Sequence, residues 1–471
     1  MTEAVVVGSG PNGLAAAVTL ARQGVAVTVL EAADEIGGGT RTSDLTGHRA
    51  LHDHCSAVHP LGVGSPFLND IDAQRHGLVW RWPTIDLAHP LDDGTAGVMV
   101  QSLAATGRHL GADGRAWRDL FGPLTVAFDD LLEDLMRPVL HVPRHPVPLA
   151  RFGVNALAPA RVLARRFSTP QARGLLAGVA AHAFYPLERP TSSAVGLMLA
   201  AAGHRFGWPV AEGGSRAITD AMAKVLVDHG GRIETGVRVR SLAEVGPAAV
   251  TILDLAPSGV VEVAGDRLPA QVRRAFGAWK HGPAASKVDL VVDGGIPWTA
   301  EAARAAGTVH VGGTLEEIAR AERDTWAGRM PDRPFVLVGQ QYLADPTRSA
   351  GDLHPIWAYG HVPSGYTGDA TGAILDQMER FAPGLRQRIV AVHTRSPAEL
   401  AAGNPNYVGG DIITGANTAR QVALRPRIAL DPYSTGIPGV YLCSAATPPG
   451  AGAHGMCGYN AATRALRYLA S

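Results

Sequence analysis

The chain opens on a short continuous apolar run, Ala4-Val5-Val6-Val7, then a glycine-rich turn, then apolar residues at helical spacing from Leu14 to Gln23. A brief apolar run bounded by turn residues predicts a buried strand, and the change to a 3.6-residue period predicts a helix behind it. Val25 to Leu30 returns the chain to a strand. The far end repeats the order: Val440 to Ser444 reads as a strand, Thr447 to Met456 as a rigid turn, and Tyr459 to Leu469 as a helix. Between the two ends, 98–204 is mostly helical in pattern, and 205–255 returns to glycine-rich turns and short strands that close on a strand at Ala248 to Leu255. Residues 258–280 read as helical, and Ser286 to Val292 alternates as a strand does.

The turns carry the chemistry. Gly8-Ser9-Gly10-Pro11-Asn12-Gly13 is G-x-G-x-x-G in the context it requires, strand before and helix after. Gly8 serves the tight turn, Gly10 the approach of a pyrophosphate, and Gly13 close helix–strand packing, while the helix N-terminus offers free N–H groups to phosphate. Glu31, at the end of the second strand, suits a carboxylate that receives ribose hydroxyls and disfavours a 2′-phosphate. A second cluster, Gly37-Gly38-Gly39-Thr40-Arg41-Thr42, follows within six residues. A nicotinamide dehydrogenase has no need of it, whereas an extended flavin dinucleotide needs a second close backbone contact; an ordinary flexible loop is the alternative. The terminal turn places a third helix start beside a ligand, or simply closes the fold.

Composition narrows the field. Among 471 residues, Lys+Arg and Asp+Glu are both 42, so no whole-chain electrostatic attraction to nucleic acid exists. Apolar residues at 46% and charged residues at 18% describe a globular protein of two or three domains. Cys55, Cys443 and Cys457 are odd in number and widely spaced, which favours a reducing compartment. The start lacks a basic, cleavable leader and no apolar stretch is long enough to span a bilayer, so a cytoplasmic location is expected, with peripheral membrane contact as the exception. That exception rests on one segment: between Asp134 and Glu188 there is no acidic residue but seven arginines, Arg137 to Arg173. Such a stretch suits anionic lipid or an anionic substrate, or is a solvated face or an oligomer contact.

Three segments, VVVGSGPNGLAAA…VTVLEAADEIGGGTRT, GGSRAITDAMAKVLVDHGGRIETGVRV and GVYLCSAATPPGAGAHGMCGYNAA, resemble the FAD-contacting segments of the amine oxidase and carotenoid desaturase superfamily. HPLDDG, TVHVGGTLEEI, His361-Val362-Pro363 and NPNYVGGDI extend the likeness toward phytoene-dehydrogenase-related flavoproteins. The resemblance implies an α/β fold: a discontinuous Rossmann-like FAD-binding domain (1–84, 205–260 and 425–471) with an inserted α+β substrate domain (85–204, mostly helical, and 261–424). It implies that Gly8, Ser9, Gly10, Pro11, Asn12, Gly13, Gly37, Gly38, Gly39, Thr40, Arg41 and Thr42 meet the diphosphate and ribityl chain. Glu31 and Ala32 would meet the adenosine, Val239 the adenine, Ser444 and Ala445 the ribityl contact, and Gly455 and Met456 the pyrimidine end of the flavin. Two departures stand out: Gly39 where the superfamily often has arginine, for which Arg41 is the candidate replacement, and Ser444-Ala445-Ala446 where it often has Gly-Ala-Gly or Gly-Glu.

Lys287 resembles the amine-oxidase lysine that holds water against flavin N5, and a solvent-facing lysine is the alternative reading. His48, His52, His54 and His59 lie on one extended stretch with alternate residues facing opposite ways, which argues against a metal; the resemblance places His54 or Cys55 near the substrate, and satisfied core or surface histidines are the reading it competes with. The expected activity is an FAD-dependent dehydrogenase or desaturase acting on a small lipophilic substrate, with oxygen, a quinone or another acceptor reoxidising the flavin. Polyene isomerisation or saturation, amine oxidation, and a non-catalytic FAD-binding partner protein are the alternatives. The aromatic pair that would sandwich an amine is not identifiable from sequence.

Overall fold

The computed structural model describes residues 3–471. Its architecture is α/β, built on two sheets that divide the chain unequally. The first has five strands, all parallel, in the spatial order Val440–Leu442, Val250–Leu253, Glu3–Val7, Ala26–Leu30, Arg232–Glu234. This Rossmann-like unit is discontinuous, because its strands come from both ends and the middle of the sequence. Four of its strands are short and mostly apolar because helices cover both faces; the edge strand Arg232–Glu234 is polar and exposed at both ends.

The helix Pro11–Ala21 begins inside the glycine turn, with Pro11 at its first position, where a missing N–H costs nothing. It packs against the last helix, Met456–Leu469. The approach is close: a Cβ on Gly458 would stand 1.8 Å from the Asn12 carbonyl oxygen. That last helix starts three residues before the apolar period suggests, because Gly455, at φ 70°, turns the chain directly into it.

The inserted unit is α+β. Its mixed seven-stranded sheet runs Ile389–Arg395, Ala284–Asp293, Leu353–Val362, Val336–Gly339, Ala306–Val311, Ile85–Pro90, Ala96–Met99, with a single parallel pair between Ala306–Val311 and Ile85–Pro90. One face carries Val288, Leu290, Ile356 and Ala358 against Ile374 and Met378 of the helix Thr371–Phe381. The other face, with Lys287, Asp289, Trp357 and Tyr359, looks toward the helices Pro170–Ala181 and Ser193–Phe206 and the dinucleotide unit.

A buried ionic knot ties the units together. Arg348, fully buried, donates to Asp53 at 2.6 Å, to Asp345 at 3.1 Å and to the Ala211 carbonyl at 2.7 Å. Asp53 also accepts from Thr42 Oγ1 and the Ser215 N–H, each at 2.7 Å. Burial pushes the Asp53 carboxyl upward, but Arg348 and these donors outweigh it and hold the group below its ordinary value.

Candidate active site

One cavity of about 740 Å³ runs from the glycine turns of the five-stranded sheet to the inner face of the seven-stranded one. At the first end, Gly8 takes φ 101° and passes its N–H to the Leu30 carbonyl, so the loop folds back over the sheet edge. A Cβ at Gly13 would stand 2.0 Å from the Gly8 carbonyl oxygen, so the helix can sit this close only with glycine there. Glu31 is held rather than free: Oε2 accepts from the Ser9 N–H (2.9 Å) and Ser9 Oγ (2.5 Å), and Oε1 accepts from the Ala33 N–H (2.9 Å). The second glycine turn touches the first, a Cβ on Gly38 falling 3.2 Å from Gly10 Cα.

Of the residues singled out from sequence, Gly8, Ser9, Gly10, Pro11, Asn12, Glu31, Ala32, Gly38, Gly39, Thr40, Arg41, Val239 and Ala445 line the cavity. Gly13, Gly37, Thr42, Ser444, Gly455 and Met456 stand behind that surface. Gly13 donates its N–H to Asp254 Oδ2 (2.9 Å), Thr42 belongs to the Asp53 knot, and the Ser444 carbonyl accepts from Thr447. Val239 runs in an irregular segment beyond the strand Arg232–Glu234, anchored where the Val237 N–H reaches the Glu31 carbonyl.

The Gly39 departure has a structural cause. A Cβ at residue 39 would lie 2.1 Å from Tyr407 Oη, so the tyrosine occupies the space that a side chain there would need. Arg41 does line the cavity, but its guanidinium is tied to the Gly403 and Glu35 carbonyls and lies 3.6 Å from Glu31.

The other end is aromatic and apolar. Trp357 and Tyr359 meet edge to face, 5.1 Å between centroids, and line the cavity with Tyr407, Leu337, Met198 and Leu199. Lys287 and Asp289 sit directly behind that wall, since Lys287 pairs across the ladder with Tyr359 and Asp289 with Trp357. Lys287 is therefore buried rather than solvent-facing: it forms an ion pair with Asp289, and its Nζ lies 5.2 Å from the Trp357 ring centroid. Burial lowers its pKa to about 8 against the opposing pull of Asp289. It does not itself line the cavity, and neither does His54, whose ring bonds Ser43 Oγ at 2.7 Å; Cys55 does. The neighbouring histidines go separate ways, His52 to the Leu290 carbonyl and His59 to Ser215. Among the described residues, no three metal-ligating side chains converge.

Several lining groups carry no sequence motif. His182 reaches the wall from the end of Pro170–Ala181, and its Nε2 is 2.8 Å from His310 Nε2. Burial, reinforced by His361, pushes His182 down to about 3, so the imidazole is neutral. Since Nε2 is taken, Nδ1 is its one nitrogen open to a ligand. Asp254 follows the strand Val250–Leu253 directly, lies at the first glycine turn, and is raised to about 7 by burial, with the Gly13 N–H opposing. His454, rather than Gly455 or Met456, presents the terminal turn, and its Nδ1 accepts the Met456 N–H at 3.1 Å.

These residues fit a dinucleotide. The two glycine turns present backbone in contact with one another, and Asn12 Oδ1 at the helix start is buried with no partner in the fold. Beside a diphosphate, an uncharged Asp254 is tolerable where an ionised one is not.

Comparison with known proteins agrees with this geometry. Residues 6–69 match the family described as an NAD(P)-binding Rossmann-like domain. The chain is 25% identical to pyridine nucleotide-disulfide oxidoreductase domain-containing protein 2 of Mus musculus, over 99% of this chain and 94% of that one. It is 30% identical to one of the polypeptides of limonene dehydrogenase from Castellaniella defragrans, over a quarter of this chain and 22% of the relative. Among solved structures, putrescine oxidase with putrescine bound superposes with a TM-score of 0.63 at 17% identity, covering 100% of this chain and 99% of that one. The chain thus has oxidoreductase relatives and shares the fold of an amine oxidase.

Proposed function

We propose that the protein is an FAD-dependent oxidoreductase of the phytoene-dehydrogenase-related type that dehydrogenates an apolar organic molecule. The observation that carries this reading is the continuity of one cavity from the paired glycine turns to a wall of Trp357, Tyr359, Met198 and Leu199. When bound there, FAD would supply the hydride acceptor, with oxygen, a quinone or another acceptor as the onward electron sink.

The chain's own residues do the rest. The two glycine turns hold the diphosphate and Glu31 the ribose, while the aliphatic and aromatic wall excludes water and orients the reacting carbon. His182 offers a neutral nitrogen that can hydrogen-bond and orient the substrate, backed by His310. Lys287 acts through the aromatic wall, holding Trp357 and Asp289 in place.

A second reading, amine oxidation, is favoured by the Trp357–Tyr359–Tyr407 cluster, because electron-rich rings stabilise a cationic amine at their faces. Anaerobic mixing separates the readings. Loss of the flavin's visible absorbance with lipophilic alkenes supports dehydrogenation, and the same loss with amines, followed by peroxide release in air, supports the second. Turnover only after prior reduction indicates isomerisation, and a colourless protein, or a yellow one inert to every class, overturns the proposal. Lys287→Met is expected to keep its FAD and lose turnover; full turnover removes Lys287 from the mechanism.

A further inference from the structure

The acid-free segment between Asp134 and Glu188 becomes more specific once folded. The helix Pro146–Ala156 buries Phe152 and Ala156 on one side. Its other side, at i, i+4 and i+7, carries Val147, Arg151 and Val154, continued by Leu157, and the three aliphatic residues are 62%, 75% and 66% exposed. An amphipathic helix normally turns its aliphatic stripe inward; this one has a second stripe turned outward. Val142, 89% exposed, lies in the loop before it. That loop also carries Leu140, which shares a small crevice with residues 423–432, where Ile428 and Leu430 are again exposed. The apolar surface therefore comes from two distant segments that the fold sets side by side.

Its charge is mixed but leans positive: Asp130 and Glu133 face His145 at its margin, and the arginines outnumber them. Arg144, Arg161 and Arg173 find carboxylates in Glu133, Glu188 and Glu316, but Arg137, Arg151 and Arg165 have none among the described residues, and Arg166 reaches only the Asn155 amide oxygen. The patch also adjoins the cavity, since Arg137 and Val139 line it and Phe152, on the buried side of the same helix, faces it. Protein interfaces are anchored by Trp, Tyr and other aromatics at a desolvated centre, whereas the exposed groups here are aliphatic and flanked by guanidinium. That combination matches an anionic bilayer, whose headgroups take the arginines and whose acyl boundary takes the valines and leucines. Among the described residues no helix is long and apolar enough to cross a membrane, so the contact is peripheral.

We propose that this face, centred on Pro146–Ala156 and the loop before it, docks the protein on anionic lipid with the cavity opening toward the acyl chains. It is independent of the chemistry proposed above, and its failure leaves that reading standing. The test is flotation of the full-length protein with vesicles of phosphatidylcholine alone or with about a third phosphatidylglycerol, at low and high salt. Binding is expected to the anionic vesicles only, weakened at least tenfold by high salt. The variants V142D/V154D/L157D and R137E/R151E/R165E should each lower it at least tenfold while unfolding at the wild-type midpoint. The proposal is overturned by absence of binding at low salt, by equal binding to neutral vesicles, or by wild-type binding in both variants. A dimer in solution that V142D/V154D/L157D converts to monomer also overturns it, because the patch is then a contact between copies.

Discussion

The two ends of the cavity are made in opposite ways. At the nucleotide end, Gly8 to Asn12, Glu31 and Gly38 to Arg41 come from one stretch, residues 8–41, and backbone groups present the surface. At the substrate end, His182, Met198, Trp357, Tyr359 and Tyr407 come from four separate segments, and side chains present it. A phosphate is recognised by N–H geometry that a local turn can supply, whereas an apolar molecule needs enclosing area that only converging elements supply. Mutations at the first end should therefore abolish occupancy, and those at the second should alter reactivity with occupancy intact.

The largest effect is expected where the two ends are tied. Arg348→Met leaves Asp53 and Asp345 buried without their cation, a loss of about 3–5 kcal/mol. It should lower the denaturation midpoint and weaken both ends together; a variant that loses only one end would break the comparison. Next, Gly13→Val forces a side chain against the Gly8 carbonyl and should give a folded protein without yellow colour, checked by absorbance and circular dichroism. At the other end, Trp357→Ala should keep full flavin content and lower turnover about 10–100-fold through lost positioning. A fall in flavin content comparable to that of Gly13→Val would erase the distinction.

The smallest effect sharpens it by pH. Asp254 is raised from an ordinary 3.8 to about 7, so its ionised form is disfavoured in the fold. It costs nothing below about pH 4, weighs increasingly against the folded state as pH rises toward about 7, and weighs fully above that. The ionised carboxylate also repels a diphosphate beside Gly10. Dinucleotide affinity should fall, by tenfold or less, between about pH 6 and about pH 8, and Asp254→Asn should flatten the dependence. Equal slopes in both proteins would remove Asp254 from the site.

Legibility follows the same division. Gly8, Gly13 and Glu31 are readable because strand, turn and helix lie within one local run, and each residue type answers a backbone requirement of that run. Asp254 left a weaker signal, an acid at the carboxyl end of a parallel strand, where such sheets bind ligands. His182, Tyr359 and Tyr407 left none, because a histidine or tyrosine within or beside an apolar element looks the same whether it faces a cavity or a neighbour. Lys287 shows the limit from the other side. The alternation of Ser286 to Val292 marks a strand, but which face is inward depends on the strands beside it, and those place Tyr359 and Arg395 against Lys287.

By itself the sequence determined the strand–turn–helix units, the dinucleotide turn and the acid-free arginine segment, since each rests on interactions within a few residues. Only the tertiary structure decided that Tyr407 fills the space beside Gly39, that Lys287 turns inward to Asp289, and that Val147, Val154 and Leu157 turn outward. Those are matters of which surfaces meet, and burial is set by neighbours brought together across hundreds of residues.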